Sequence, residues 1–373
     1  HYQLKALGVA NFENDRLQDL IMHNEVKPTV DQIELHPFYQ QPQRVQWLLN
    51  HDIVPEAWGP FAEGKKGIFT NSAIQEIAEA HGKTNGQIIL KKEITLNNGL
   101  KMPVLGFGVF QIPDFEECKQ AVLTALKQGY RLIDTAAAYG NERAVGAAIR
   151  ESGIAREEIF VTTKLWVQDA GYEQTQAAIQ ASLKRLGLDY IDLYLIHQPL
   201  GDVYGSWRAM EAAYHDGQLK ALGVANFEND RLQDLIMHNE VKPTVDQIEL
   251  HPFYQQPQRV QWLLNHDIVP EAWGPFAEGK KGIFTNSAIQ EIAEAHGKTN
   301  GQIILKWLNQ RNIVVIPKSV HAARIVENSQ IFDFELTQDE MQQMTKLDEG
   351  TSLFGNMHDP ETVAQLGGFK FDY

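Results

Sequence analysis

One cysteine, Cys118, is the whole thiol content of the 373-residue chain. No internal disulfide framework can form from it, and a reducing compartment suits it. No apolar run approaches the ~18–20 residues that span a bilayer, and no signal-peptide pattern is present. Basic residues are in deficit: 33 Lys and Arg against 48 Asp and Glu leave a formal charge of −15. With no long basic stripe to offset it, that balance speaks against a nucleic-acid partner. The expectation is a cytoplasmic protein with no membrane partner. No histidine–carboxylate cluster shows metal-ligand spacing, so no metal is expected. A Gly-rich dinucleotide loop is also missing. Gly106-Phe107-Gly108 begins like one, but Gln111 stands where the third glycine belongs. The open doubly wound sheet thereby loses its main signature, and these glycines read as a tight strand exit.

Self-identity is what the chain has in unusual measure. Residues 3–91 match residues 218–306 without a substitution, an unbroken run of 89 positions. The period is far longer than the 20–50 residues of solenoid or propeller units. A recent duplication, an engineered tandem and a mis-joined gene fragment all fit. Two domains are expected: a partial copy over 1–91, and a complete barrel over 92–373.

From residue 94 onward, short aliphatic runs alternate with longer segments of helical period. The runs 94–96 and 102–104 flank Asn97-Asn98-Gly99, a hairpin signal. Strands are expected at 104–107, 131–135, 159–164, 191–197, 221–224, 244–250, 268–272 and 313–317. Amphipathic helices are expected at 115–128, 175–186, 205–214 and 299–311. Eight strand–helix units with near-continuously apolar strands imply a parallel sheet buried on both faces. At this length they point to a (β/α)8 TIM barrel with an N-terminal hairpin, preceded by an incomplete copy of units five to seven.

The active site of such a barrel lies at the C-terminal strand ends. Five consecutive units offer Asp134, Lys164, His197, Asn226 and Gln247 there, with Tyr139 on the loop after the second strand. Reducing a carbonyl requires an acid for the developing alkoxide. A tyrosine serves if an ammonium stabilises its phenolate and a carboxylate holds the ammonium. A histidine at the next strand end would orient the carbonyl or share the proton. Singly, each residue has a plainer reading: Asp134–Lys164 as a structural ion pair, His197 as a core histidine, Tyr139 as an ordinary loop tyrosine. In register on successive strands, they read together as a catalytic group.

A second cluster, Lys318, Ser319 and Val320 followed by Arg324, Glu327 and Asn328, suits a phosphate at a helix N-terminus. A solvated basic helix start is the alternative. Arg324 would favour a 2′-phosphate, hence NADP over NAD. Trp273, in Glu271-Ala272-Trp273-Gly274-Pro275-Phe276, reads either as a nicotinamide-stacking ring or as a core tryptophan.

Five ordered segments resemble the aldo-keto reductase family over essentially all of 92–373. They are Asp134-Thr-Ala-Ala-Ala-Tyr139-Gly-Asn-Glu142, Val161-Thr-Thr-Lys164-Leu-Trp166, Leu193-Tyr-Leu-Ile-His197, Val245-Asp-Gln247-Ile-Glu-Leu-His-Pro252 and Ile316-Pro-Lys-Ser319. The bacterial branch of 2,5-diketo-D-gluconate and methylglyoxal reductases looks most similar. The resemblance implies NADPH as cofactor and an aldehyde or ketone as substrate. It makes Tyr139 the proton donor, assisted by Lys164, Asp134 and His197. Phe110, Trp166 and His197 would line the substrate pocket. Asn226 and Gln247 would hold the carboxamide, with Trp273 on the nicotinamide and Gly274, Pro275 and Phe276 beside the cofactor. Lys318, Ser319, Val320 and Arg324 would clasp the adenosine phosphate, with Glu327 and Asn328 near the adenine. The resemblance implies a monomer.

Several positions depart from the commonest family pattern. Ala225 stands where a serine often bonds the carboxamide, Trp273 where a tyrosine stacks, Phe110 where a tryptophan lines the pocket, and Asp246 where an asparagine precedes Gln247. Specificity is expected to involve the 351–373 tail, with Phe354, Met357 and His358 as candidates.

Two other function classes stay open. One is a Schiff-base lyase using Lys164. The other is an NADPH-binding barrel without useful turnover, acting as a sensor or left inactive by the repeat. The first copy lacks counterparts of the four catalytic positions and repeats the cofactor-contact residues as Asn11, Gln32 and Trp58 with no catalytic group to complete a site, so it is not a second enzyme. Residues 86–91 begin a helix that the hairpin interrupts. The internal copy, joined to its neighbours at both ends, is expected to occupy the barrel. The first copy is left to form a partial αβ layer, to swap or self-associate, or to aggregate.

Overall fold

The computed structural model describes residues 7–12, 14–24, 26–34, 41–51, 53–58, 93–356 and 359–372. It forms two compact units, His1–Leu90 and Lys91–Tyr373. In the first, three short parallel strands lie in the order β1 (Gly8–Ala10), β2 (Val30–Glu34) and β3 (Val54–Trp58). Leu17, Leu48 and Ile53 pack with Ile33 of β2 into a small core against the helices Asn14–His23 and Pro42–Asn50. The expected helix start at 86–91 lies outside the described residues.

The second unit opens with an antiparallel hairpin of β4 (Glu93–Thr95) and β5 (Lys101–Pro103) about the Asn97-Asn98-Gly99 turn. Eight parallel strands follow: β6 (Phe107–Gly108), β7 (Leu132–Asp134), β8 (Phe160–Leu165), β9 (Leu193–Ile196), β10 (Leu222–Ala225), β11 (Val245–Glu249), β12 (Val269–Trp273) and β13 (Val314–Val315). Each bonds to the next in chain order. The ends of this sheet meet. Gly106 N donates to Val315 O at 2.8 Å, Gly108 N to Pro317 O at 3.1 Å, and Val315 N to Val104 O at 3.1 Å. The sheet is thus closed into a (β/α)8 barrel. A Cβ on Gly108 would lie 3.0 Å from Ile316 O, so the glycines expected at a tight exit serve the close approach at this seam. The expected strands 104–107 and 313–317 shrink to two residues each because the seam includes an isolated bridge, Leu105 to Val315, outside the named strands.

Alternate strand residues point inward. Leu132, Phe160, Leu193, Val245, Val269 and Val314 pack inside the barrel with Leu96 and Met102 of the hairpin segment. The hairpin turn is tied to the ends at which β10–β12 begin. Asn97 Nδ2 donates to Pro243 O at 2.8 Å and Asp267 O at 3.1 Å, and Asn98 Nδ2 donates to Lys220 O at 2.9 Å. The hairpin therefore plugs the bottom and leaves the C-terminal strand ends free for chemistry. Outward residues such as Val161, Tyr194, Val224 and Ile248 pack in a larger core with Trp207 and Trp307.

The helices start where side-chain caps allow. Asp114 accepts from Glu117 N ahead of Phe115–Lys127, and Asp202 accepts from Gly205 N ahead of Val203–His215. A Thr299–Gln302 capping box opens Asn300–Gln310. The helix expected at 175–186 begins earlier, at Tyr172, after Gly171 turns the chain with φ 119°. Among the described residues no helix is long and apolar enough to cross a membrane.

Candidate active site

Asp134 closes β7, Lys164 lies in β8, His197 follows β9, and Tyr139 ends the short 3-10 turn Ala137–Tyr139. Asp134 is paired with Thr162, so Asp134, Thr162 and Lys164 share the inner face of two adjacent strands. Lys164 Nζ donates to both Asp134 oxygens, at 2.7 and 2.8 Å, and to Thr135 O at 2.9 Å. The same ammonium also hydrogen-bonds the Tyr139 side chain. The pair is sealed, with Lys164 0% and Asp134 2% exposed. Lys164 Nζ lies 5.1 Å from the Tyr139 ring centroid, and the Tyr139 ring lies 5.7 Å from that of His197.

The electrostatics sort these groups into states. Burial pulls Lys164 down, but Asp134 leads the opposing charges and the net shift is upward, so the side chain is an ammonium. Burial raises Tyr139, while Lys164 lowers it in part. The sequence leads one to expect the ammonium to dominate; in the closed barrel, desolvation of the phenolate is the larger effect and the net shift is upward. His197 falls well below the ordinary imidazole value through burial and the Lys164 charge, so its ring is neutral. Its Nδ1 is buried without a hydrogen-bond partner.

Gln247 and Asn226 are already engaged within the site. Gln247 Nε2 donates to Asp134 Oδ2 and Glu271 Oε2, both at 2.9 Å. Asn226 takes φ 64°, a left-handed conformation that asparagine tolerates. Its Nδ2 donates to His197 O at 3.1 Å, and its Oδ1 accepts from Trp273 Nε1 at 2.8 Å. Trp273 is thus a half-buried ring oriented by Asn226, with Phe354 edge-on at 5.2 Å. A cavity of about 480 Å³ opens beside it, lined also by Glu249, Tyr254, Arg259 and Ser352. Ala225 is buried and offers no hydroxyl. Asp246 alternates with Gln247 and its Oδ2 meets Arg259 at 3.5 Å, so that departure from the family pattern faces away from the site.

The residues after β13 form a separate group. Lys318 and Arg324 are exposed, and among the described residues neither makes an ion pair or hydrogen bond. The helix Ala322–Ser329 starts without a side-chain cap, and Ser319 Oγ accepts from His321 N at 3.1 Å. Two free cations beside an uncapped helix start fit an anionic phosphate. Val320 is half-buried and Asn328 buried, while Glu327 accepts from Thr299 Oγ1 at 2.7 Å. Gly274 turns the chain with φ 60°, leading through Pro275 to Phe276, which packs on Phe284 at 5.3 Å.

Aromatic rings wall the mouth. Phe110 lies 4.9 Å from the Tyr139 ring, and Trp166 stands edge-on to His197 at 5.1 Å and to Phe371 at 5.4 Å. Trp166 Nε1 donates to Phe369 O at 3.0 Å, and Gln168 exchanges hydrogen bonds with the Phe371 backbone. The expected tail residues divide: Phe354 packs on Trp273, while Met357 and His358 lie outside the described residues. Sequence reasoning missed Phe369 and Phe371, which no local pattern marks. It also missed Glu271, whose signal was present as a charge inside the apolar run of β12. No three His, Cys, Asp or Glu side chains among the described residues could hold a metal ion.

A closed (β/α)8 barrel with a tyrosine, a lysine–aspartate pair and a neutral histidine at its upper rim defines a narrow class. The profile of the Aldo/keto reductase family matches residues 104–349. The chain belongs to that family. It is 46% identical over 261 residues to glyoxal reductase of Bacillus subtilis (strain 168), covering 70% of this chain and 94% of that one. It is 45% identical over 263 residues to methylglyoxal reductase DkgA of Escherichia coli (strain K12), covering 70% of this chain and 94% of that one. Among solved structures, a Bombyx mori aldo-keto reductase in complex with NADP matches with TM-score 0.68 at 34% identity, covering 72% of this chain and 95% of that one.

Proposed function

We propose that the chain reduces aldehydes and ketones to alcohols with NADPH, and that Tyr139 donates the proton. The observation that carries this reading is the sealed Lys164–Asp134 pair beside the Tyr139 phenol, with neutral His197 on the other side. NADPH, when bound, supplies the hydride. The protein's part is to hold the carbonyl and deliver a proton to its oxygen. Tyr139, kept protonated by burial, is the donor, and Lys164 stabilises the phenolate left behind. Asp134 holds Lys164 in place, and His197 positions the carbonyl oxygen as a neutral ring. Lys318, Ser319 and Arg324 are assigned to the cofactor's phosphate, and Trp273, oriented by Asn226, to its nicotinamide. Gln247 has both amide hydrogens committed, so it can meet a carboxamide only as an acceptor.

Small dicarbonyls are the substrates to test first, because two relatives are named for glyoxal and methylglyoxal and the rings around Phe110 and Trp166 carry no charge. The Schiff-base alternative is disfavoured because Lys164 is an ammonium paired with Asp134, with no lone pair to attack a carbonyl. Residues 1–91 are assigned no part in the chemistry. Their exposed sheet face, where Val54 is 59% accessible against 5% for Val269 of the barrel, is assigned to self-association. Loss of NADPH absorbance on adding methylglyoxal tests the function. Cofactor binding with no reduction of any reactive carbonyl would leave a binding barrel instead.

A further inference from the structure

The barrel interior holds a fully buried acidic residue that the proton-transfer scheme does not use. Glu271 lies inward on β12 between Val269 and Trp273 and is 0% exposed. Its Oε2 accepts one hydrogen of the Gln247 amide, whose other hydrogen goes to Asp134 Oδ2. Gln247 therefore straps two carboxyl groups together across the barrel. The other oxygen, Glu271 Oε1, is buried without a hydrogen-bond partner. On the β13 side the register neighbour is the apolar Val314. The charged and titratable groups that act on Glu271 are Asp134 from β7 and Lys164 from β8, with Tyr139 after β7 sensing it in turn. From β11 comes only the neutral Gln247. Two carboxyl groups thus share one ammonium in a buried interior. A carboxylate oxygen with no donor there is costly, and a proton on Oε1 removes that cost.

We propose that Glu271 is a positioning residue that works protonated, clamps the Gln247 amide against Asp134, and causes the first alkaline decline of the enzyme when it ionises. The proposal rests on Tyr139 as the acid. Burial first and then Asp134 push Glu271 up to about 8, opposed by the Gln247 hydrogen bond and by Lys164. Ionised Glu271 raises both Lys164 and Tyr139. The sign follows: as pH rises, the site gains a negative charge and Tyr139 holds its proton more tightly. Reduction should then decline in two steps, first as Glu271 ionises and later as Tyr139 does.

The test is the pH profile of methylglyoxal reduction from about pH 5 to about pH 10, for the full chain and its isosteric Glu271→Gln variant. The variant should lose the first step, and its final limb should move to lower pH by about one unit. A residue with only a structural role would scale the rate equally at every pH. An unchanged profile shape with the limb in place overturns the proposal. A second measurement needs no turnover and no variant: carboxyl-carbon NMR of glutamate-labelled chain without cofactor. One glutamate carboxyl should titrate above about pH 7, whereas full titration of every glutamate below about pH 6 overturns the proposal. A wild-type chain that reduces no carbonyl would sink the Tyr139 reading instead, and the NMR result would still decide the state of Glu271.

Discussion

Lys164 is held as an ammonium by Asp134, with Thr135 O accepting beside it, and that charge state separates the candidate chemistries at the scale of the residue. A fixed ammonium stabilises a phenolate; it does not form an imine. His197 is held neutral by burial and by Lys164. Its protonation therefore lies well below the ordinary imidazole range, and the rate of reduction should show no acid limb near pH ~6.5. A limb there, abolished by His197→Gln, would contradict the neutral assignment. Arg324, proposed to meet the cofactor's phosphate, is exposed. Arg324→Ala should raise the KM for NADPH about tenfold and leave that for NADH nearly unchanged. Equal effects on the two cofactors would remove the 2′-phosphate from its assignment.

At the scale of the element, the eight strands were legible because apolar runs buried on both faces stand out from helical period. Their polar ends were legible for the same reason: Asp134 and Lys164 break runs that otherwise avoid charge. Glu271 obeys that rule too, as a charge inside the apolar run of β12. What the sequence did not show is tertiary. The Phe369 carbonyl meets Trp166 Nε1 across 203 residues of chain, and no period or motif encodes such a contact. The same holds for the Gln247 amide spanning Asp134 and Glu271. Because 369–371 dock on Trp166 and Gln168, removing residues 369–373 should raise the KM for carbonyl substrates several-fold while leaving the KM for NADPH in place. Parallel changes in both constants would mean that the tail supports the barrel as a whole.

At the scale of the whole molecule, one stretch of sequence occupies two environments. Residues 218–306 contribute β10–β12 of a closed barrel. The same residues over 3–91 supply β1–β3, paired in the corresponding registers, Val30 to Val54 in one and Val245 to Val269 in the other. Local sequence thus specifies the strand pairing, while burial of the inner face depends on the other strands that close a barrel. The repeat was plain in the sequence; how its first copy meets its surroundings is a property of the assembly. All four residues of the proposed proton relay lie in the second unit, so deleting residues 1–91 should preserve kcat for methylglyoxal and improve soluble yield. Loss of turnover with the barrel still folded would give the first copy a role in the reaction.

Tyr139 as the proton donor is the central claim, and Tyr139→Phe tests it most directly because it removes the hydroxyl and little else. NADPH binding, followed by fluorescence quenching, should stay at the wild-type level while kcat for methylglyoxal falls by about 100- to 10,000-fold. A variant that binds NADPH and turns over within a few-fold of wild type would contradict the account and place the acid elsewhere in the barrel.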